Sequence, residues 1–310
     1  MRHLIEPKDL SNAEMLRLIE TGQRMVTNPG AYHGVAKGKI LASLFFEPST
    51  RTKFSFDSAM LRLGGEIIGF ADADTSSAKK GESLADTIRV MSFYSDLIVM
   101  RHPKEGAPLL ASKYSEVPVI NAGDGGHNHP TQTLTDLITI SQFKGTLENH
   151  CIAFVGDLKY GRTVHSLIKT MATFNSKKFI LVSPDELKLP DFLLKFLREN
   201  HPEIEIKEAH YLEDVIHEAD IVYMTRIQKE RFFNEADYIK LKDSFLLDRE
   251  KMKQAKEDAI VMHPLPRVNE ISYDIDEDPR SVYFEQSKLG VYIRMALICK
   301  MLEVGDYATR

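Results

Sequence analysis

The 310-residue sequence has only two cysteines, Cys151 and Cys299, and no tryptophan. Cysteines so far apart fit neither a disulfide framework nor a cysteine-based metal site, so both are expected to be buried thiols in a reducing compartment. Long apolar runs are also missing: none approaches the roughly 18 residues of a membrane span, and the amino terminus has no stretch suited to a signal peptide. These absences predict a cytoplasmic protein with no membrane partner.

An excess of positive charge is absent as well. The chain has 45 acidic and 40 basic residues and a formal charge of −5, which favours neither nucleic acid nor an anionic membrane as a partner. No metal-ligand cluster has convincing spacing, and VGDLKYGRT (155–163) lacks the G-x-G-x-x-G spacing of a dinucleotide-binding turn. We expect no metal and no cofactor, so any bound anion needs a few locally placed cations.

Apolar runs of strand length alternate with helical patterns, which predicts a parallel α/β architecture. The strands are predicted at 39–46, 66–71, 96–100, 117–122, 151–156, 178–183, 203–208, 220–225 and 259–264. The helices are predicted at 54–63, 83–94, 130–143, 162–174, 190–200, 212–219, 248–258 and 288–304. Together with the length, this order predicts two doubly wound parallel-sheet domains in series.

The boundary between the domains is predicted near Lys144-Gly145, where a long helical pattern ends. The first domain would span 1–145 and the second 146–286, with a final helical segment, 287–310, packing back on the first. Open α/β sheets bind ligands beyond the carboxyl ends of their strands, often in the crevice between domains. Residues that directly follow strands are therefore the candidates for chemistry.

The segment FFEPSTRTKFSF (45–56) leaves a strand, turns at Pro48 and opens a helix with Ser49, Thr50, Arg51 and Thr52. A helix start offers free N–H groups and a partial positive charge, and arginine adds a planar cationic fork suited to phosphate oxygens. The alternative is an ordinary Ser/Thr helix cap. A cap explains one hydroxyl but not three beside an arginine, so anion binding is favoured.

Two neighbouring strand ends carry further polar groups. MRHP (100–103) places Arg101 at the end of the third strand, and NAGDGGHNHPTQTLTDL (121–137) leads into His129 and Gln132 at a helix start. Alone, His129 could equally be a capping or surface histidine. Together the three residues provide one cation and two neutral groups, which suits a carbonyl oxygen on which negative charge develops.

These segments resemble the aspartate/ornithine carbamoyltransferase family. The similarity rests on STRTKFSF, MRHP and HPTQTLTDL and continues through SSAKKGESLADT, VGDLKYGRTVHSL, MTRIQKER and HPLPRVNEI. It covers nearly the whole chain, and the catalytic chains of the aspartate branch match best. The fold implied has its active site in the cleft between the two domains and at a subunit interface.

The resemblance implies a site for carbamoyl phosphate. Its residues would be Ser49, Thr50, Arg51, Thr52, Ser76, Lys80, Arg101, His129 and Gln132. Those at 49–52 would hold the phosphate. Thr52, Arg101 and His129 would contact the carbonyl oxygen, and Gln132 the amino group.

Ser76 and Lys80 would come from a neighbouring subunit of a homotrimer whose active sites are shared. Without the resemblance, KKGE in a serine-rich loop would be interpreted as a solvated charge run. The resemblance leaves open whether the trimer works alone or joins zinc-containing regulatory chains in a larger, allosteric assembly.

The acceptor substrate is indicated by the second half of the chain. The aspartate-binding residues implied are Lys80, Arg162, Thr163, Arg226 and Gln228, with backbone contacts from Pro264, Leu265 and Pro266. Two arginines suit a dicarboxylate and would repel an ornithine ammonium group. Ornithine enzymes resemble one another in an HCLP turn and an SMG loop, where this chain has HPLP and MTRIQKER. Asn269, where aspartate is frequent in the family, removes one charge and could affect domain closure.

The activity implied is transfer of the carbamoyl group of carbamoyl phosphate to the α-amino group of L-aspartate. The products would be N-carbamoyl-L-aspartate and phosphate, an early step of pyrimidine biosynthesis. Arg51, Thr52, Lys80, Arg101 and His129 would be the catalytic residues. Two alternatives remain open: another amine acceptor such as ornithine, and a noncatalytic anion-binding chain on the same fold.

Overall fold

A computed structural model describes residues 2–72, 81–227 and 245–308. The chain forms two compact units, one made of Met1–Ile138 and Lys288–Arg310, the other of Thr139–Ser287. Each unit contains one parallel sheet, with strands in the order 66–70, 40–45, 97–102, 119–124 in the first and 205–209, 178–182, 151–155, 221–224, 260–262 in the second. The prediction of two doubly wound parallel-sheet domains is confirmed.

All nine strands lie where the apolar runs predict them. The first sheet consists of β1 (Ile40–Phe45), β2 (Glu66–Phe70), β3 (Leu97–His102) and β4 (Val119–Asp124). The second consists of β5 (Cys151–Val155), β6 (Lys178–Val182), β7 (Glu205–Ala209), β8 (Ile221–Met224) and β9 (Ile260–Met262). Every pairing between them is parallel.

The helices of the described residues alternate with these strands. They are α1 (Asn12–Thr27), α2 (Thr50–Arg62), α3 (Leu84–Tyr94), α4 (Ala107–Tyr114), α5 (Pro130–Lys144), α6 (Arg162–Thr173), α7 (Asp191–Asn200), α8 (Arg249–Met252) and α9 (Tyr283–Leu302). Short 3₁₀ turns lie at Pro7–Asp9, Pro29–Tyr32, Asp185–Leu187, Ile216–Glu218, Tyr273–Ile275 and Gly305–Tyr307.

Two helices were not predicted, and three predicted helices differ from the structure. Helices α1 and α4 were not predicted, and the helix predicted at 212–219 was wrong, since only a 3₁₀ turn forms there. That segment is short, and Val215 and Ile216 are buried without a full helical turn being needed. The helix predicted at 248–258 ends after one turn, and the final helix begins five residues before the predicted start.

The central strands of both sheets are buried, whereas the edge strands β2 and β7 are more exposed. In β1, Ala42 and Leu44 share a hydrophobic cluster with Ile88 of α3 and Ala111 of α4, while Phe45 is fully buried. A strand covered on both faces needs apolar residues at successive positions, not alternating ones. This explains why the strands are such continuous apolar runs.

An aspartate at the start of β3 ties the amino ends of the first sheet together. Asp96 Oδ2 accepts a hydrogen bond from the Ile40 amide at 2.9 Å, and Asp96 Oδ1 accepts one from Lys39 Nζ at 2.9 Å. Ile40 opens β1, so one carboxylate holds two neighbouring strands in register.

The second sheet repeats this arrangement. Asp220 Oδ2 accepts a hydrogen bond from the Cys151 amide at 2.8 Å, and Asp220 Oδ1 accepts one from Lys256 Nζ at 2.6 Å. Cys151 opens β5 and Asp220 directly precedes β8, so the pair again joins the two strands at the centre of the sheet. At the amino ends of both sheets, an aspartate paired with a lysine thus joins two neighbouring strands.

No helix among the described residues is long and apolar enough to cross a membrane. Within the same residues, no group of three or more histidine, cysteine, aspartate or glutamate side chains is placed to hold a metal ion.

Candidate active site

The strand order of each sheet defines one point where a ligand crevice can form. In the first sheet the chain passes from β1 outward to β2, then returns to place β3 on the other side of β1. In the second sheet β5 and β8 have the same relation. At such a switch point the loops that follow two adjacent strands diverge, and ligands bind beyond the carboxyl ends. Predicted site residues follow the strands at these two points, and others follow the neighbouring strands β4 and β9.

The start of α2 differs from the other helices that begin with serine. Ser11 and Ser83 cap α1 and α3 by accepting hydrogen bonds from the amides of Glu14 and Asp86. Ser49 stands at the same position of α2 and makes no side-chain cap hydrogen bond. The alternative of an ordinary serine cap is therefore not what the geometry shows. The start of α2, with its partial positive charge and the hydroxyl of Ser49, therefore suits an anion.

Thr50 and Arg51 are exposed at this helix start, whereas Thr52 is 9% exposed. A mixture of exposed cation, hydroxyls and one recessed threonine suits a ligand with both a charged and a neutral end.

Arg101 lies beside this helix start at the end of β3. Phe45 and Arg101 pair across β1 and β3, and Arg101 Nε donates to Glu47 Oε2 at 3.0 Å. Burial lowers the pKa of Arg101, and the Glu47 carboxylate opposes that effect. Even a lowered arginine pKa leaves the group charged at neutral pH, so a half-buried cation lies near the start of α2.

The loop that carries His129 is organised by a buried aspartate, Asp124. Its carboxylate accepts hydrogen bonds from Asn121 Nδ2 at 2.9 Å and from the amides of Gly106 at 2.9 Å and Asn128 at 3.1 Å. His129 follows at the start of α5 and is only 5% exposed. His129 is therefore a fixed, nearly buried group and not the surface histidine of the alternative interpretation.

Gln132 lies one turn into α5, where its Nε2 donates to Asp136 Oδ1 at 2.8 Å. The nitrogen of the Gln132 side-chain amide faces Asp136. The carbonyl oxygen of the same amide can therefore accept a hydrogen bond from a ligand. The three strands β1, β3 and β4 are neighbours, so Thr52, Arg101 and His129 follow three adjacent strand ends.

The switch point of the second sheet lies between β5 and β8. Gly156 has φ +111°, and a Cβ there would lie 2.4 Å from the Thr225 carbonyl oxygen, so only glycine allows the chain to leave β5 in this way. The Thr225 hydroxyl donates to the Val155 carbonyl at 2.9 Å and accepts from the Asp157 amide at 3.1 Å. These bonds join the loops that follow the two strands.

Both of these loops lead to a predicted arginine. Arg162 and Thr163 open α6 after Gly161, an N-cap residue without a side chain. Arg226 is the second residue after the end of β8. All three side chains are half-buried. Two arginines at the edge of adjacent strands form a site for a ligand with more than one carboxylate.

The turn after β9 is held by a buried histidine–glutamate pair. His263 Nδ1 accepts the Leu265 N–H at 2.7 Å, so Nε2 carries the proton and donates to Glu270 Oε1 at 2.7 Å. Burial raises the pKa of Glu270, but the bond from His263 outweighs it and the net pKa is lowered. Leu265 has φ +52° in this turn, an unfavourable value for leucine. The hydrogen bonds of His263 to Leu265 and Glu270 stabilise this conformation. Pro264 and Leu265 are half-buried and Pro266 is exposed.

Three predicted site residues, Ser76, Lys80 and Gln228, lie outside the described residues. The remaining ones follow strands as expected. Sequence reasoning did not single out the partners that position them, which are Glu47, Asp124, Asp136, His263 and Glu270. Each is an acidic or histidine residue within a segment already recognised, but nothing in the spacing indicates which backbone or side-chain group it would contact.

Two family models together match nearly the whole chain. Residues 2–142 match the model described as "Aspartate/ornithine carbamoyltransferase, carbamoyl-P binding domain", and residues 148–301 match "Aspartate/ornithine carbamoyltransferase, Asp/Orn binding domain".

Similar proteins agree with these models. An aspartate carbamoyltransferase catalytic subunit from Alkaliphilus metalliredigens is 60% identical over 304 residues, covering 98% of this chain and 97% of that protein. The solved catalytic subunit of the M. jannaschii enzyme is 48% identical with a TM-score of 0.90, covering 98% of each chain. The Trypanosoma cruzi enzyme, solved with carbamoyl phosphate and aspartate, is 40% identical with a TM-score of 0.91, covering 96% of this chain and 95% of that one.

Proposed function

This chain belongs to the aspartate/ornithine carbamoyltransferase family, and from that premise we propose how it acts. It is an aspartate carbamoyltransferase catalytic chain. It transfers the carbamoyl group of carbamoyl phosphate to the α-amino group of L-aspartate, giving N-carbamoyl-L-aspartate and phosphate, an early step of pyrimidine biosynthesis.

The observation that carries the choice of substrates is the difference between the two switch points. The first has a helix start without a serine cap, with hydroxyls, Arg51, and the half-buried cation Arg101. The second has Arg162 and Arg226 after adjacent strands. The first suits a phosphate joined to a polarised carbonyl, and the second suits a dicarboxylate. We assign residues 1–145 with 287–310 to carbamoyl phosphate and residues 146–286 to aspartate.

In this proposal the start of α2 binds the phosphate through Ser49, Thr50, Arg51 and Thr52. Thr52, Arg101 and His129 surround the carbonyl oxygen, and Gln132 accepts from the amino group of the carbamoyl moiety. The phosphate is thereby held by charge-assisted bonds, while the carbonyl oxygen faces donors placed where negative charge will develop.

Aspartate is bound by Arg162, Thr163, Arg226 and Gln228, with backbone contacts from Pro264, Leu265 and Pro266. Arginine pairs bidentately with carboxylates, whereas the ammonium group of ornithine would meet like charge. The turn at 264–266 is held in one conformation by His263 and Glu270, which supports a backbone contact there.

The reaction begins when the neutral α-amine of aspartate attacks the carbonyl carbon. A C–N bond forms, the carbonyl π electrons move to oxygen, and Thr52, Arg101 and His129 stabilise the oxyanion. The tetrahedral intermediate collapses as the C–O bond to phosphate breaks. Arg51 and Lys80 stabilise the departing phosphate, which accepts the amine proton. No general base is required from the protein, and His129 acts by electrostatic stabilisation.

We further propose that the chain works as a homotrimer in the cytoplasm, with Ser76 and Lys80 acting in the neighbouring subunit's site. Sedimentation of the native assembly tests whether zinc-containing regulatory chains join this trimer. The shared site is tested by mixing two inactive variants, Lys80→Ala and His129→Ala, after dissociation and then reassembling them. Any mixed ring has one junction with both wild-type residues, so about one quarter of wild-type activity should return. Mixed trimers without activity would refute the shared site.

The activity itself is tested with one assay for carbamoylated product. Purified protein is given carbamoyl phosphate with aspartate and, separately, with ornithine. Product with aspartate alone supports the proposal. Product with ornithine instead would show that the chain belongs to the ornithine branch of the family. No product with either, despite heat released on titration with carbamoyl phosphate, would indicate a noncatalytic anion-binding chain.

A further inference from the structure

Gln132 is held by a residue that no substrate would touch. Gln132 and Asp136 are four residues apart on α5, so their side chains lie on the same helix face. The bond from Gln132 Nε2 to Asp136 Oδ1 is 2.8 Å long. Asp136 itself is fully buried, whereas Gln132 is half-buried.

A buried arginine of the carboxyl-terminal helix provides the counter-charge of Asp136. Arg294 in α9 is 4% exposed, and Asp136 is the acidic group that attracts it. Burial lowers the pKa of Arg294 to about 10, so the guanidinium remains charged at neutral pH. Arg294 Nη1 donates to Ser55 Oγ at 2.9 Å and to the Gly290 carbonyl at 3.0 Å. Arg294 therefore links α9 to α2, the helix whose start is the proposed phosphate site, and its charge attracts Asp136 of α5.

An ionised carboxylate can only accept hydrogen bonds. Facing Asp136, the Gln132 amide must turn its NH₂ group inward, because its carbonyl oxygen would meet the carboxylate oxygen. The carbonyl oxygen of Gln132 is then the end presented to a ligand. A glutamine without such a partner could present either end.

We infer that Asp136 determines the acyl-group selectivity of the site by fixing which end of the Gln132 amide faces the substrate. This inference rests on the proposed function, in which Gln132 meets the amino group of carbamoyl phosphate. That amino group is a donor and requires an acceptor. Acetyl phosphate has a methyl group at the same position, which makes no hydrogen bond, so an acceptor there favours the carbamoyl compound. Asp136 is a positioning residue, acting through Gln132.

The experiment compares carbamoyl phosphate with acetyl phosphate as donors to aspartate, in wild type and in Asp136→Asn. Asparagine can donate as well as accept, so Gln132 is free to turn its own NH₂ group toward the substrate. The ratio of kcat/KM for carbamoyl phosphate to that for acetyl phosphate should fall about 10- to 100-fold, the effect of one opposed buried hydrogen bond. The value for acetyl phosphate should change little. A merely structural role for Asp136 would lower both values together and leave the ratio unchanged, which would overturn the inference.

Two further variants make the result decisive. Asp136→Asn leaves Arg294 without its counter-charge. The substitution is therefore also combined with Arg294→Met, which removes the unpaired charge. Removing both charges of a buried pair is often tolerated. This double variant should lose selectivity to the same extent. In a Gln132→Leu background, Asp136→Asn should change the ratio no further. A further fall there would show that Asp136 acts by another route.

A matched control is Asp96→Asn, which makes the same chemical change at an aspartate beside a lysine at the opposite edge of the same sheet. It should leave the ratio of the two donors unaltered. Wild type that shows no transfer from carbamoyl phosphate would refute the proposed function. Active wild type with an unchanged ratio in both Asp136 variants would refute only the role of Asp136.

Discussion

The amino and carboxyl edges of the two sheets differ in how their polar groups are used. At the amino edges, Asp96 and Asp220 each accept one backbone N–H and one lysine ammonium, so the charges are satisfied within the protein. At the carboxyl edges, the Ser49 side chain makes no cap hydrogen bond, and the N-cap residue of α6 is Gly161, which has no side chain to cap with. The same topology thus uses aspartates to join strands at one edge and places arginines, hydroxyls and helix starts at the other.

The same difference between the amino and carboxyl edges occurs in both sheets. Both aspartates join the two strands that flank a switch point, β1 with β3 and β5 with β8. The candidate ligand groups follow the opposite ends of those same strands. If this division is correct, changes at the carboxyl edge should abolish chemistry with little effect on stability, and changes at the amino edge should do the reverse.

The largest effect is expected from Arg51→Ala. Loss of the cation at the start of α2 removes a charge-assisted bond to a phosphate that gains charge as it departs, so turnover should fall roughly 10³-fold or more. Circular dichroism and the urea midpoint should match wild type, because Arg51 is exposed. Arg62→Ala, at the other end of the same helix, is the matched control and should keep its turnover. Near-wild-type turnover in Arg51→Ala would remove the basis for the phosphate assignment.

A smaller effect is expected from His129→Ala. His129 is one of three groups around the carbonyl oxygen, and loss of one such donor lowers the maximal rate by roughly 10²–10³-fold. Steady-state kinetics should show kcat falling more than the KM for aspartate rises. If kcat were unchanged and only the aspartate KM rose, His129 would bind substrate and would not stabilise the transition state.

At the amino edge, Asp96→Asn and Asp220→Asn should each lower the free energy of unfolding by about 1–2 kcal/mol while leaving kcat unchanged. Each substitution removes the charge partner of a lysine and one acceptor of a strand-opening amide. Urea unfolding at pH 7 measures the loss. Asp185→Asn removes an exposed aspartate paired with Lys188 and should not shift the midpoint. A loss of activity without a loss of stability would contradict the division of edges.

The same two aspartates predict a pH dependence. Burial raises the pKa of Asp96 and of Asp220, but the lysine and backbone hydrogen bonds outweigh it, so both pKa values lie below the ordinary 3.8. A lowered carboxyl pKa contributes stability that is present above 3.8 and is lost as the pH falls through the folded value. Wild type should therefore lose its advantage over the two variants below about pH 4. An advantage that persists undiminished at pH 2 would contradict this assignment.

Much of the fold could be predicted because its strands are long apolar runs. The nine strands of the described residues were all located, and the central ones are apolar throughout because they are covered on both faces. Helix α1 was missed although Ser11 and Glu14 form a capping box that the sequence displays. The segment 212–219 has helical spacing but is too short to form a helix without further packing, so spacing alone misled there.

The site was predicted less evenly. Arg51, Arg101 and Arg226 could be named because cations directly after strands have few purely structural explanations. Their supporting partners could not be named. Asp136 is one acidic residue in a helical pattern, and its role depends on Arg294, which is far along the chain and reaches it only through folding. Hydrogen-bond direction, which decides what Gln132 presents, is a property of three-dimensional contact and has no sequence signature.

The central claim, that the first sheet binds the phosphate compound and the second binds the dicarboxylate, is tested most directly by calorimetric titration of Arg226→Ala. The protein is titrated with carbamoyl phosphate and then, at saturating carbamoyl phosphate, with succinate, a dicarboxylate that has no amine to react. The Kd for carbamoyl phosphate should stay within about twofold of wild type, while succinate should bind at least about tenfold more weakly, as expected for loss of a charge-assisted bond. Equal weakening of both ligands would contradict the claim.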